Sequence, residues 1–342
     1  MRRRQFGKLF ATTAAAAVVC DLPAAQAQVR QLRMTESGGT SGDSVEAGYI
    51  KPFTAKSGIK VTRDSPNELG KLRALIESGS TATTLFELGA SNLQQAKALG
   101  LLQKLDWTKI APMAMFPEAK DDYGMGYQYY SSMMAWRAGA TAPRTWADFF
   151  NAREFPGKRS LPSNPVYVLP AVLLAAGVPA EKLYPLDVDL AFRKLEEFKK
   201  DVAVWWKAGA QPPQLLRDNE VQYAMAYSGR VVGQQGIEYT YNQASLNLSY
   251  FCVVKGVSPA EADAADRLLY EMSVPQNQLV ASGIIPYSGN SPDLEALLPK
   301  DKLKEFPTTA ENKKVQYLND DVWWFNNADS VQKRWQEFLL RL

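Results

Sequence analysis

The side chains available for chemistry in this 342-residue sequence are carboxylates, lysines, arginines and tyrosines, because it contains no histidine and only two cysteines, Cys20 and Cys252. The commonest general base, the usual nucleophile-activating dyads and the commonest metal ligand are therefore absent. Zinc sites of the Cys/His kind go with them. The sequence has no GxSxG elbow, no Walker loop and no GxGxxG at a strand-to-helix turn. An enzyme would have to work through carboxylates, lysine or tyrosine, as glycosidases work through two carboxylates. Its candidates, Asp121-Asp122 and Asp320-Asp321, sit in polar surroundings that read as solvated turns. Tyrosine is concentrated at 123, 127, 129 and 130, and Tyr129-Tyr130 would suit a paired-tyrosine ferric site if histidine accompanied it. No cofactor or metal is implied.

These residues need elements to hold them. A strand is predicted over 31–35, ending in Glu36-Ser37-Gly38-Gly39-Thr40, and a helix over 44–56 with Ser41 or Asp43 near its N-cap. A second strand over 59–62, a helix over 69–78 with Leu72, Leu75 and Ile76 on one face, and a third strand over 85–88 follow. Ala90-Ser91-Asn92 then caps a helix running to about residue 99. This β-α-β-α-β order is that of a parallel sheet covered by helices, an α/β fold. Ligands bind at the carboxyl ends of such strands, so the loops 36–40 and 89–92 should face one cleft. Gly38-Gly39 reads either as a plain turn or as a place where backbone N–H groups approach a ligand. Further on, 123–130 reads as an extended crossing between lobes. Helical patterning returns over 170–176 and over 187–202, where Val188, Ala191, Leu195, Phe198 and Val202 form one stripe. Trp205-Trp206 reads as core anchors or as a ligand wall.

Where the chain works is suggested by its start. Arg2-Arg3-Arg4, an apolar run from Leu9 to Cys20 and Ala25-Gln26-Ala27 have the order of a cleavable signal peptide over 1–27. Arg3-Arg4-x-Phe6-x-Lys8 fits the twin-arginine pattern, with an ordinary Sec signal as the other reading. Val19 before Cys20 argues against lipoprotein processing. The leader holds four of the 39 basic and one of the 36 acidic side chains, so the remainder carries thirty-five of each. A formally neutral mature chain offers neither a nucleic-acid footprint nor a polybasic membrane patch. Its lone Cys252 can form no internal disulfide, so core burial must supply the stability.

Three segments in order, Gln222-Tyr223-Ala224-Met225-Ala226-Tyr227-Ser228-Gly229-Arg230, residues 246–256, and Ile285-Pro286-Tyr287-Ser288-Gly289-Asn290, resemble the periplasmic spermidine/putrescine-type solute-binding proteins of ABC transporters. Pro52-Phe53, Gly58-Ile59-Lys60-Val61, Gly100-Leu101-Leu102, Phe155-Pro156-Gly157-Lys158-Arg159, Tyr184-Pro185-Leu186-Asp187 and Trp323-Trp324 extend the resemblance over essentially the whole mature chain. It implies a two-lobed periplasmic binding protein fold with a hinge and an inter-lobe ligand cleft. One lobe would hold 28–130 and 247–291, the other 131–246 and 292–342. The partners it implies are a small-molecule solute and an inner-membrane ABC permease, with a monomer expected because one chain encloses the site. A receptor-docking sensor would look nearly identical in sequence.

The resemblance also places the site. Tyr227 stands where the family has a tryptophan, and Tyr287 supplies a ring from the other lobe. Polyamine binders pair ammonium groups with buried carboxylates. Here Asn164, Tyr167 and Tyr250, or its neighbour Ser249, fall where acids are expected, and Asp43 is the candidate replacement for the first-loop glutamate. Ser37, Gly38, Gly39, Thr40 and Ser91 complete the expected ligand-binding set. A neutral, zwitterionic or anionic solute is therefore favoured over a polyamine. Arg230 reads equally as an anion partner or as a structural ion pair behind the site.

Overall fold

The computed structural model describes residues 29–79 and 82–342; the expected leader lies outside the described residues. Their strands are β1 (Gln31–Thr35), β2 (Lys60–Asp64), β3 (Leu85–Gly89), β4 (Lys120–Asp121), β5 (Gly124–Arg137), β6 (Arg159–Pro162), β7 (Val202–Trp206), β8 (Tyr223–Tyr227), β9 (Ile237–Val253) and β10 (Tyr317–Leu318). They run in the order β2-β1-β3-β9-β5-β8-β6-β7, with β10 on β9 and β4 on β5.

β1 pairs parallel with both β2 and β3, and the helices Leu69–Glu77 and Ala90–Ala98 provide the covering layer, so the expected β-α-β-α-β unit is present. A second parallel set, β6 with β7 and β8, lies at the other end of the sheet. Between them run the two long strands. β5 and β9 pair antiparallel from Met125 opposite Phe251 to Arg137 opposite Ile237. The sequence of β5, GMGYQYYSSMMAWR, is buried along nearly its whole length, which suits a strand covered on both faces. The expected crossing over 123–130 is the first half of this strand. One buried cluster, including Leu32, Phe86, Tyr129, Phe251 and Met272, packs around the first parallel set, and another, including Trp146, Leu161, Leu195 and Trp335, around the second.

Three expectations about elements change. The helix predicted over 44–56 starts at Gly39, not near Ser41 or Asp43, and continues through π-turns at Glu46–Ile50 to Ser57. Gly38, at φ 78°, turns the chain into it, and no side chain caps it. The π-turns bring Gly48 against the helix Pro275–Ser282, where an added Cβ would lie 2.7 Å from that of Ala281. The helix predicted over 187–202 ends at Phe198, whose ring stacks on Phe150, and Val202 instead opens β7 opposite Arg159. The helix predicted over 170–176 begins earlier, at Pro165, with Asn164 as its N-cap.

The β5–β9 ladder has an irregularity between Gly126 and Gln128, and Gly126 lies where no side chain fits. A Cβ there would come within 2.5 Å of Leu248 Cδ2 and 3.0 Å of the Ala119 backbone. Gly126→Ala is expected to lower unfolding free energy by about 1–3 kcal/mol. Gly70→Ala, in the helix Leu69–Glu77 with open space around it, should be neutral or slightly stabilising. Urea denaturation of the two variants checks the pair.

Candidate functional site

A cavity of about 290 Å³ opens where the carboxyl ends of β1, β3 and β8 meet the middle of β5 and β9. Its lining includes Ser37, Gly38, Glu87, Gln128, Tyr227, Arg230 and Tyr287. Glu87, near the end of β3, is its only carboxylate among the described residues and is just 3 % exposed. The Ser37 backbone N–H donates to one oxygen at 2.7 Å and the Tyr127 hydroxyl to the other at 2.9 Å. Burial pushes the Glu87 pKa up; these two donors pull it back, and neighbouring Glu36 pushes it further up.

The loop after β1 is organised around these acids. Gly38 N–H donates to Glu36, whose other oxygen meets Arg63 at 3.4 Å. The N–H groups that the Gly38-Gly39 turn was expected to offer a ligand are thus taken up in part: those of Ser37 and Gly38 serve Glu87 and Glu36. Gly38 also disfavours a side chain, since its φ of 78° strains any other residue and a Cβ would press on Ser65 Oγ at 3.1 Å. Asp43 is exposed, 3.8 Å from Arg63, and lines no part of the cavity. Gly39 and Thr40 are likewise exposed and outside it. The helix begins at Gly39, which leaves these three residues on its outer side, and the carboxylate that lines the cavity is Glu87 rather than Asp43.

Arg230 follows β8 on the short helix Ser228–Val231. It makes no hydrogen bond or ion pair with the described residues and faces the same cavity as Glu87. Gly229 beside it permits close approach to Tyr287, because a Cβ would meet that ring at 2.5 Å. Burial pushes the Tyr287 hydroxyl up to about 12, with Arg230 pulling the other way. The Tyr130 ring lies 5.7 Å from Tyr227, edge to face, and 5.6 Å from Tyr287. Trp206 is both a core residue and a backing for this wall: its indole N–H donates to Met225 O and its ring meets Tyr227 at 5.3 Å. Trp205 packs against Trp335 and Phe338.

Four more expected residues, Ser91, Asn164, Tyr167 and Tyr250, line a neighbouring cavity of about 500 Å³. Asn164 Oδ1 accepts from Val166 N–H as a helix cap, and the Tyr250 hydroxyl donates to Glu118 O. Asp321 also lines this space, with its pKa pushed up to about 7 by burial and then by Asp320, against the Ser91 hydroxyl. Of the carboxylate pairs, Asp121 and Asp122 are ion-paired to Lys97 and Lys104, and Asp320 caps the helix Asp321–Leu339. Tyr129 packs on Phe116 inside the core while Tyr130 faces the cavity, so the two hydroxyls lie on opposite faces of β5.

Sequence reasoning missed Glu87, Gln128 and Tyr130 as cavity residues. Glu87 is a lone acid in the run Leu85-Phe86-Glu87-Leu88, and that was the available signal.

The bacterial extracellular solute-binding protein family model matches residues 48–308. A gamma-aminobutyric acid-binding protein of Pseudomonas aeruginosa is 34 % identical over 331 residues, covering 93 % of both chains. An ABC transporter substrate-binding protein from Bradyrhizobium japonicum superposes with a TM-score of 0.85 at 32 % identity, over 90 % of this chain and 99 % of that one. The Atu4243 GABA receptor superposes with a TM-score of 0.81 at 32 % identity, over 90 % and 96 %. A spermidine/putrescine-binding protein from Streptococcus pneumoniae, at 17 % identity and a TM-score of 0.74, shares the fold.

Because burial raises the Glu87 pKa, the native state takes up a proton before the unfolded chain does as pH falls. The ionised group therefore costs stability at neutral pH, a cost relieved in acid. Glu87→Gln should make the ligand-free protein more stable at pH 7.5, and the gain should shrink as pH falls through the native pKa. Denaturation at pH 7.5 and pH 5 measures the difference.

Proposed function

The chain belongs to the bacterial extracellular solute-binding protein family, and from that premise we propose that it captures a short zwitterionic amino acid of the γ-aminobutyrate type, with the ammonium at Glu87 and the carboxylate at Arg230. It is the solute-binding component of an ABC transporter, not an enzyme, and its solute is small, polar and organic. The observation that carries the finer reading is one buried carboxylate and one guanidinium, without an ion pair among the described residues, lining the same cavity. A desolvated ammonium requires an opposite charge, and a carboxylate suits a guanidinium fork. The aromatic rings of Tyr130, Tyr227 and Tyr287 would cover the methylenes between them.

The two relatives named for GABA support this charge assignment. A polyamine is disfavoured, because its second ammonium would find no second carboxylate in the lining and would face Arg230. We place the protein in the periplasm after twin-arginine export, working as a monomer that presents both lobes to its permease. The lobes are 28–130 with 247–291 and 131–246 with 292–342, a division that the two main buried clusters support.

Charge-assisted hydrogen bonds contribute about 1.5–3 kcal/mol, so losing the guanidinium should cost roughly 10- to 100-fold in affinity. In calorimetric titrations γ-aminobutyrate is expected to bind and putrescine not to. Arg230→Met should lose the stated affinity while keeping the parental melting temperature. Unchanged affinity in that variant would remove Arg230 from the site.

A further inference from the structure

The two cavities share Gly89 and Tyr130 in their linings. Gly89 contributes no side chain, and a Cβ placed there would meet nothing within 4 Å. The Tyr130 ring is thus the group that separates about 290 Å³ on one side from about 500 Å³ on the other. It does not stand alone. Its hydroxyl lies 3.3 Å from that of Tyr167, which faces only the larger cavity, and Tyr227, which faces only the smaller one, sets its ring edge-on to both at 5.7 and 5.6 Å. Trp206 backs Tyr227 and is itself held through its indole N–H. Three rings from β5, β8 and the helix Pro165–Ala175 therefore form a braced partition.

Glu87 and Arg230 lie on one side of this partition, and Glu118, Asp320 and Asp321 line the other. Glu87 and Arg230 both line the smaller cavity, whose volume is at the lower end of the range for small-molecule sites, about 300–1,000 Å³. We propose that the Tyr130–Tyr167–Tyr227 wall sets the length of the ligand, with Tyr130 as the specificity-determining residue that refuses ω-amino acids too long to fit between Glu87 and Arg230. This rests on the zwitterion reading above. A longer methylene chain would have to bow toward the second cavity, and the ring of Tyr130 occupies that route. Removing the ring joins the two spaces without touching either charged group.

The test is calorimetric titration of the purified protein at pH 7.5 with β-alanine, γ-aminobutyrate, 6-aminohexanoate and 8-aminooctanoate. Each methylene misfit in a pocket costs at least about tenfold, so the parent should bind 6-aminohexanoate at least about tenfold more weakly than γ-aminobutyrate. Tyr130→Ala should bring the six- and eight-carbon ligands to within about threefold of γ-aminobutyrate, less than the 1.4 kcal/mol of a tenfold change. Tyr167→Ala opens the wall from the neighbouring helix without altering β5, and it decides the question if Tyr130→Ala fails to fold. A parental length profile in the folded variants, with γ-aminobutyrate still bound, would overturn the length limit and leave the zwitterion reading intact. A parent that binds none of the four ligands would overturn the zwitterion reading and the length limit with it.

Discussion

A carboxylate held out of water is the constraint around which the cleft is built. Glu87 sits on a buried strand and needs donors to stay ionised, and the chain brings them from two distant places. One is the backbone of Ser37, in the loop after β1; the other is the hydroxyl of Tyr127, fully buried in β5. Supplying the first donor fixes the loop's path, which is why Gly38 takes a positive φ and the following helix begins at once. Supplying the second ties β3 to β5 by a side-chain contact although β9 lies between them in the sheet. Two donors do not saturate a carboxylate's lone pairs. The remaining capacity is what a ligand's ammonium can use.

The opposite charge reaches the same cavity only because β5 and β9 run through both halves of the molecule. Their ladder carries Gln128, Tyr130 and Ser249 to the floor of the cleft, while Arg230 comes from the turn after β8, in the other parallel set, and makes no ion pair or hydrogen bond among the described residues. Among the described residues, β5 and β9 are the long strands that make this passage within the sheet, with the two-residue β10 paired to β9. Such a narrow connection suits hinge motion, in which a ligand with charges at both ends is gripped from both sides. The half-buried tyrosines of the wall, whose hydroxyl pKa values burial pushes up, then supply surface and hydrogen bonding without adding charge.

Much of this was legible in the sequence where local chemistry decides. The first parallel unit could be read because apolar runs, cap residues and glycines alternate at short range, and the ordered motifs from Gln222 to Asn290 pointed to a solute-binding protein, though the relatives above 30 % identity include GABA-binding proteins rather than the spermidine/putrescine type those motifs resemble. Tyr227, Tyr287 and Arg230 were placed through those motifs, and all three face the cavity. Glu87 was not readable as a cleft acid because its donors lie fifty and forty residues away in sequence. Asp43 looked like the missing acid because it sits in the right loop. The helix begins at Gly39, five residues before its expected start at 44, which turns Asp43 outward to Arg63. Tyr130 was seen only as one of a cluster; alternation along β5, which sends Tyr129 into the core and Tyr130 into the cleft, separates their roles.

A crystal structure of the protein with γ-aminobutyrate would show whether a small zwitterion spans Glu87 and Arg230. The ligand's nitrogen is expected within hydrogen-bonding distance of a Glu87 oxygen and its carboxylate on the Arg230 guanidinium, with Tyr227 and Tyr287 against the methylenes. A ligand bound with its ends reversed, or lodged beside Asp321 in the larger cavity, would contradict that placement.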